Sequence, residues 1–250
     1  MKRALVCYWH GLGDVIMLTP HLRYLYKQDY IIDLMCRAEV RESKLLDECP
    51  YVGKLIEIPN PWQSPKYGFT GQMNRNLALF QELRGRYDWS GASPHRLHKK
   101  IAGIHKIDMT SKELGIEIKD KKLEVFIPHS IEKRADSEIK GDYIFIHRLC
   151  RWHPYHTWDP DGWIDANLPS LEKIYTDKDG ETTKFDNINT IFMLAKRAKH
   201  RVLASSVLVP ACDAMGCVID AINYGRSDHK VWPLDQSRVL HIREAGKWIR

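Results

Sequence analysis

The chain is 250 residues long, with 38 Lys and Arg against 32 Asp and Glu and a formal net charge of +6. Its 44% hydrophobic and 28% charged content is ordinary for a globular protein and excludes a disordered chain. No apolar run approaches the ~20 residues of a membrane span. The six cysteines have no metal-binding spacing and read as reduced cytosolic thiols, which points to the cytoplasm.

Residues 4–8 form a short apolar run, read as a buried strand, and residues 10–13, His-Gly-Leu-Gly, read as a tight turn. Asp14 follows, and the apolar residues Val15, Ile16, Leu18, Leu22 and Leu25 suit one face of a helix. Strand, glycine turn and helix make the first unit of a nucleotide-binding α/β layer, in which the helix N-terminus favours an anion or a carboxylate. A second strand is expected at 30–36, a short helix at 40–46 and a third strand at 51–58. Strands alternating with helices imply a parallel, doubly wound sheet. Residues 61–71 are rich in Pro, Gly, Ser and aromatics and read as a surface loop, with a helix at 74–84 and a short strand opening at Tyr87.

Residues 93–106 carry His95, His98 and His105 together with Arg96, Lys99, Lys100 and Lys106. No neighbouring carboxylate or cysteine completes a metal site there, so no metal is expected. The segment reads either as a basic helix facing an anionic ligand or as a solvated charged helix. The polar, charged stretch 129–141 reads as partly helical and holds the linker, separating a domain of residues 1–130 from one of residues 141–250. In the second half, strands are expected at 141–147, 201–205 and 217–222, with the last of these closing the sheet. Residues 188–198 read as a helix, 171–175 as an apolar segment and 239–250 as a terminal helix carrying Lys247, Trp248 and Arg250.

Three motifs carry a family resemblance. The opening GLGDV-x-x-x-TP-x-L-x-x-L resembles that of the heptosyltransferase-type glycosyltransferases, which include the ADP-heptose:lipopolysaccharide heptosyltransferases. The strand ending at His147, the following loop and His156-Thr-Trp158 resemble that family's phosphate loop and Lys-x-Trp triplet. Residues 205–216 fall where the family has Asp-Ser/Thr-Gly-x-x-His, although only the hydroxyl of Ser206 is retained. Ser205, Val207 and Pro210 replace the Asp, Gly and His, and His156 replaces the lysine that meets donor phosphate.

The resemblance implies two Rossmann-like domains facing across a cleft, the GT-B arrangement, with a shortened C-terminal domain. It also implies inverting transfer of a sugar from a nucleotide-sugar donor to an acceptor hydroxyl. Asp14 would be the base, and Gly11 and Gly13 with His95 and Arg96 would serve the acceptor. His147, Arg148, Arg151, His156, Ser205 and Ser206 would serve the donor, with no cofactor beyond the substrate itself. Arg148 and Arg151 bring bidentate phosphate-binding forks to that loop, or else pair with acidic side chains. The altered third motif leaves ADP-heptose itself in question as donor. The acceptor would be a lipopolysaccharide or other glycan, with peripheral membrane contact, or alternatively a hydroxymethylated DNA base. A non-catalytic nucleotide- or polyanion-binding protein of the same fold is the third reading.

Overall fold

The first strand, β1 (Lys2–Cys7), is buried from Ala4 onward and lies between two parallel neighbours, β2 (Tyr30–Cys36) and β4 (Trp89–Ala92). The computed structural model describes residues 1–94, 105–148, 158–176, 187–224, 236–244 and 247–248. The chain divides into two compact units, Met1–Phe126 and Ile127–Arg250.

The first unit holds a four-stranded parallel sheet in the order β3-β2-β1-β4, with β3 spanning Val52–Glu57. Helix α1 (Leu12–Lys27) carries the chain from β1 to β2, and α2 (Ala38–Glu42) leads from β2 to β3. Helix α3 (Gly68–Arg84) crosses from β3 to β4, and α4 (Lys106–Leu114) follows β4. Side chains alternate across a strand, so Leu5, Cys7 and Trp9 share one face of β1. They pack there with Met35, Ile58 and Phe80 of α3. The one buried carboxylate of this sheet, Asp33, pairs with Arg3 and accepts a bond from the Tyr87 hydroxyl at 2.8 Å. That satisfaction is what makes a charge tolerable in a strand interior.

The second unit holds a six-stranded sheet in the order β10-β9-β8-β7-β5-β6. Its strands are β5 (Tyr143–His147), β6 (Glu172–Tyr175), β7 (His200–Ala204), β8 (Ile219–Asn223), β9 (Val239–Glu244) and β10 (Lys247–Trp248). All neighbours are parallel except β9 and β10. Helices α5 (His129–Glu138), α6 (Asp161–Asn167), α7 (Ile188–Arg197) and α8 (Leu208–Ala214) connect or flank the strands. The core joins Ile144, Ile146, Val202 and Ala221 of the sheet to Ile164 of α6. Arg201 is buried and caps the end of α7, donating to the carbonyls of Ala195, Lys196 and Ala198. Those are the carbonyls that a helix terminus leaves without partners.

Several expectations are corrected. Residues 239–248 form strands, not a helix. Val239 and Ile242 are buried while Leu240 is 48% exposed, and the open edge of β8 offers a hydrogen-bonding partner to residues 239–243, on which β10 then folds back antiparallel. The strand at 219–223 is therefore internal to the sheet rather than its last member. Helix α3 begins at Gly68, within the segment read as loop, and α4 was not foreseen as a separate helix. The stretch 129–141 is partly helical, as its composition predicts: it holds α5, whose Glu132 and Asp136 meet Lys196 and Arg197 of α7.

Candidate active site

Parallel α/β sheets bind ligands beyond the carboxyl ends of their strands, where the strand order reverses. In the first unit that point lies between β1 and β4, and residues 8–14 leave the sheet there. Gly11 is the residue before α1, extended at φ −70°, ψ 171°. Its N–H donates to Asp14 Oδ2 at 3.2 Å, so the carboxylate closes back on the first turn of its own helix. This capping arrangement matches an acidic side chain to the positive helix terminus. The Tyr8 hydroxyl donates to the Asp14 carbonyl at 3.1 Å and holds the turn from below.

The other carboxylate oxygen, Oδ1, lies 2.5 Å from Nζ of Lys106, the first residue of α4. The two side chains are only 21% and 16% exposed, so the pair is sheltered but reachable. Burial pulls the Asp14 carboxyl up. The Lys106 ammonium, His10 and the Gly11 N–H outweigh it and hold the group below the ordinary carboxylate value. Asp14 is therefore an anion throughout the neutral range, able to accept a proton from a bound hydroxyl. The partner lysine is set by α4, whose start is capped by the His105 ring accepting from the Ile107 N–H at 3.2 Å.

His10 completes the turn. It is buried, its Nε2–H donates to the Ser93 carbonyl at 3.0 Å, and the Ser93 hydroxyl donates in turn to Glu113. The loop after β1 is thus tied to the end of β4 and to α4. The Trp62 ring stands edge-on to His10 with centroids 5.7 Å apart, and Phe69 lies 5.1 Å beyond Trp62.

In the second unit, the reversal of strand order lies between β5 and β7. His147 ends β5 and is the register partner of Leu203 on β7, which puts His147, Arg148, Ser205 and Ser206 at the carboxyl end of these two parallel strands. His147 Nδ1 is 2.7 Å from Thr176 Oγ1, just past the end of β6. The Arg148 guanidinium lies 5.3 Å from the centre of the Tyr175 ring. The Tyr175 hydroxyl bonds to Asp161, which also meets Lys173 at 3.3 Å. Burial raises the Asp161 carboxyl, but the bonds from Tyr175 and Lys173 with the Lys173 and Arg148 charges bring it below its usual value. Ser206 Oγ accepts from the Leu208 N–H at 3.2 Å, and the Ser205 N–H donates to the Asn223 carbonyl at 2.9 Å.

The expected residues thus fall into two groups, Asp14 with Gly11 and Gly13 in one unit and His147, Arg148, Ser205 and Ser206 in the other. His95, Arg96, Arg151 and His156 lie outside the described residues, as do His98 and most of the loop after β8. Neither Gly11 nor Gly13 has a positive φ, and a methyl group on Gly11 would stand 3.9 Å from Asp14 Oδ2, an ordinary contact. Glycine there is not demanded by the turn. Sequence reasoning named Lys106 only as one cation among several, and it missed Trp62, Phe69, Tyr175 and Thr176. The aromatic density of residues 61–71 was the available signal for the first two aromatics.

The whole chain resembles solved glycosyltransferases. A glycosyl transferase family 9 protein from Veillonella parvula DSM 2008 aligns over 97% of this chain and 86% of its own, with TM-score 0.63 and 14% identity. The E. coli heptosyltransferase WaaC with ADP aligns over 97% and 93%, with TM-score 0.59 and 11% identity. E. coli ADP-heptose lps heptosyltransferase II aligns over 96% and 90%, with TM-score 0.51 and 15% identity. The fold is that of these glycosyltransferases. No family model matches the sequence, and no curated protein does. This glycosyltransferase fold carries Asp14 on its first α/β turn and the His147–Ser206 group on the second sheet. Among the described residues no three His, Cys, Asp or Glu side chains gather as a metal site. No helix among them is long and apolar enough to cross a membrane.

Proposed function

We infer that this chain is an inverting glycosyltransferase that moves a sugar from a nucleotide-sugar donor to a hydroxyl of a glycan acceptor. The observation that carries this reading is Asp14, an ionised and partly accessible carboxylate at the switch point of a glycosyltransferase fold. Asp14 takes the proton of the acceptor hydroxyl as its oxygen attacks the anomeric carbon. The bond from that carbon to the donor's diphosphate breaks, the configuration inverts, and the nucleoside diphosphate leaves with the bonding electrons. Lys106 holds Asp14 ionised before the acceptor arrives.

The donor belongs on the second unit. Arg148 and His147 at the end of β5 supply charge and hydrogen bonding for the leaving diphosphate, and such preorganised groups act where charge develops. The E. coli WaaC structures carry ADP or an ADP-linked fluoro-heptose, so ADP-sugars head the list of donors to try. The loss of the third motif's Asp and His makes UDP-, GDP- and CMP-sugars necessary companions.

The test is a thermal-shift screen of these donors on the wild-type chain and on Asp14→Ala. A ligand at a hundredfold over its Kd stabilises by about 2.7 kcal/mol. One donor should raise the melting temperature of both proteins, and transfer to a lipopolysaccharide core acceptor should be lost only in Asp14→Ala. Absence of a shift with every donor sinks the reading.

A further inference from the structure

Cys212 and Cys217 close the end of α8, and no step of glycosyl transfer uses them. Gly216, at φ +72°, ends the helix in the left-handed region that glycine favours. The Gly216 N–H donates to the Asp213 carbonyl at 3.0 Å, and the Cys217 N–H donates to the Cys212 carbonyl at 2.9 Å. These two bonds make a Schellman motif, in which an apolar pair at the two outer positions often comes into contact. Here both outer positions are cysteines, each with a free thiol.

The two sulfurs are unequal. Cys212 has no exposed surface, whereas Cys217 is 7% exposed and stands between the exposed residues Gly216 and Val218. The Cys212 thiol hydrogen-bonds to the Cys217 sulfur, and the Arg201 guanidinium reaches the same sulfur. Arg201 also donates to the carbonyls of Ala195, Lys196, Ala198 and Val218. Those acceptors carry no formal charge, so they leave the guanidinium's charge to act on the sulfur. The bond from Cys212, with the Arg201 and Lys196 charges, outweighs burial and holds Cys217 at about 7, below the ordinary thiol value. The same bond and burial push Cys212 up. Burial pushes Cys7, Cys36 and Cys49 up to about 12. The thiolate is the nucleophile in sulfur chemistry, so Cys217 is the reactive thiol of these five.

A disulfide holds its sulfurs about 2.05 Å apart, with Cβ atoms about 3.5–4.5 Å apart. Two thiols already joined by a hydrogen bond across a closed turn need only a small side-chain movement to meet that geometry.

We propose that Cys212 and Cys217 form a redox-active dithiol, a modification site at which hydrogen peroxide makes a reversible disulfide. The Cys217 thiolate attacks one peroxide oxygen, the O–O bond breaks, and the departing hydroxide takes up a proton to become water. The product is the Cys217 sulfenic acid. The Cys212 sulfur then attacks the Cys217 sulfur, the S–O bond breaks, and the hydroxide leaves with the Cys212 proton as a second water. Two thiols are oxidised by two electrons, and one peroxide is reduced to two waters. The bridge ties the last turn of α8 to the segment entering β8, one short helix away from Ser205 and Ser206.

Peptide mapping of the full chain tests this. Trypsin leaves residues 202–226 as one peptide that carries Cys212 and Cys217 and no other cysteine. The protein is exposed to hydrogen peroxide, unfolded in guanidinium, alkylated with iodoacetamide and digested. That peptide should lose two hydrogens and escape alkylation at least about tenfold faster than Cys7, Cys36 or Cys49 oxidise, since their thiolate fractions are smaller by more than that. Dithiothreitol should restore both alkylation sites. The rate should fall below about pH 7, where Cys217 gains its proton. In Cys212→Ala, Cys217 should stop at the sulfenic acid and be captured by dimedone. In Cys217→Ala, Cys212 should stay reduced. Oxidation of the peptide no faster than that of the three buried cysteines overturns the proposal, as does a bridge from either cysteine to another peptide. Conversion of wild-type Cys217 to a sulfinic acid with Cys212 still alkylated overturns the dithiol. The wild-type mapping stands without either variant.

Discussion

Acid should release α4 from α1 through a single buried imidazole. His21 lies on α1 with no exposed surface; its Nε2–H donates to the Ile107 carbonyl at 3.2 Å and sits 3.1 Å from Ser111 Oγ. Burial pushes its pKa down to about 4, with the Ile107 and Leu18 carbonyls and the Asp108 charge only partly offsetting this. In the unfolded chain the same group takes up its proton near 6.5. Between those values the unfolded state binds a proton that the folded state refuses, so stability falls as the pH drops through that window and levels below it. The gap corresponds to about 3 kcal/mol, a large share of the roughly 5–15 kcal/mol that holds a typical domain together. His21→Gln removes the titration and keeps a donor. Urea unfolding of both proteins at steps from pH 7 to pH 4 should show the wild type losing about 3 kcal/mol more than the variant. Parallel losses across that range would refute the reasoning. The consequence reaches the site, since α4 begins at Lys106 and its docking on α1 is what puts the ammonium on Asp14.

Removing the ammonium should move Asp14 in the opposite sense to its present shift. In Lys106→Met the carboxyl rises, so the acid limb of the kcat/KM profile for glycosyl transfer should shift to higher pH; an unmoved limb would remove Lys106 from the site's electrostatics. Packing at the end of β4 is equally exposed to test. A methyl group on Gly91 would stand 2.5 Å from the Trp89 ring and 3.0 Å from Leu114. Gly91→Ala should therefore destabilise the first unit by about 1–3 kcal/mol, the usual cost of overpacking, read as a lower urea midpoint. An unchanged midpoint would mean that Trp89 swings aside freely.

Local pattern was enough for the elements whose burial follows their own composition. The run Tyr30–Cys36 is strand over the full span read from its apolar residues, and α7 begins at Ile188 as its periodicity requires. The Gly-Asp-Val turn likewise announced Asp14 at the start of a helix, because a capping carboxylate and its glycine neighbour lie within one turn. The C-terminal segment misled for the converse reason. Val239 and Ile242 stand three apart, a helical spacing and not an alternating one, yet the unpaired edge of β8 drew the segment into the sheet. No spacing joins Asp14 to Lys106, His10 to Trp62 or His147 to Thr176. Those pairs meet because parallel strands return the chain to the same sheet edge after each helix, bringing distant residues to one end of the strands. The sequence by itself determined where the chain would bury a strand or start a helix, since those depend on neighbours a few residues apart. Which charges meet, which aromatics stay exposed beside the carboxylate and which edge accepts a last strand were decided only by the tertiary structure, because ion pairs and packing act through space and not along the chain.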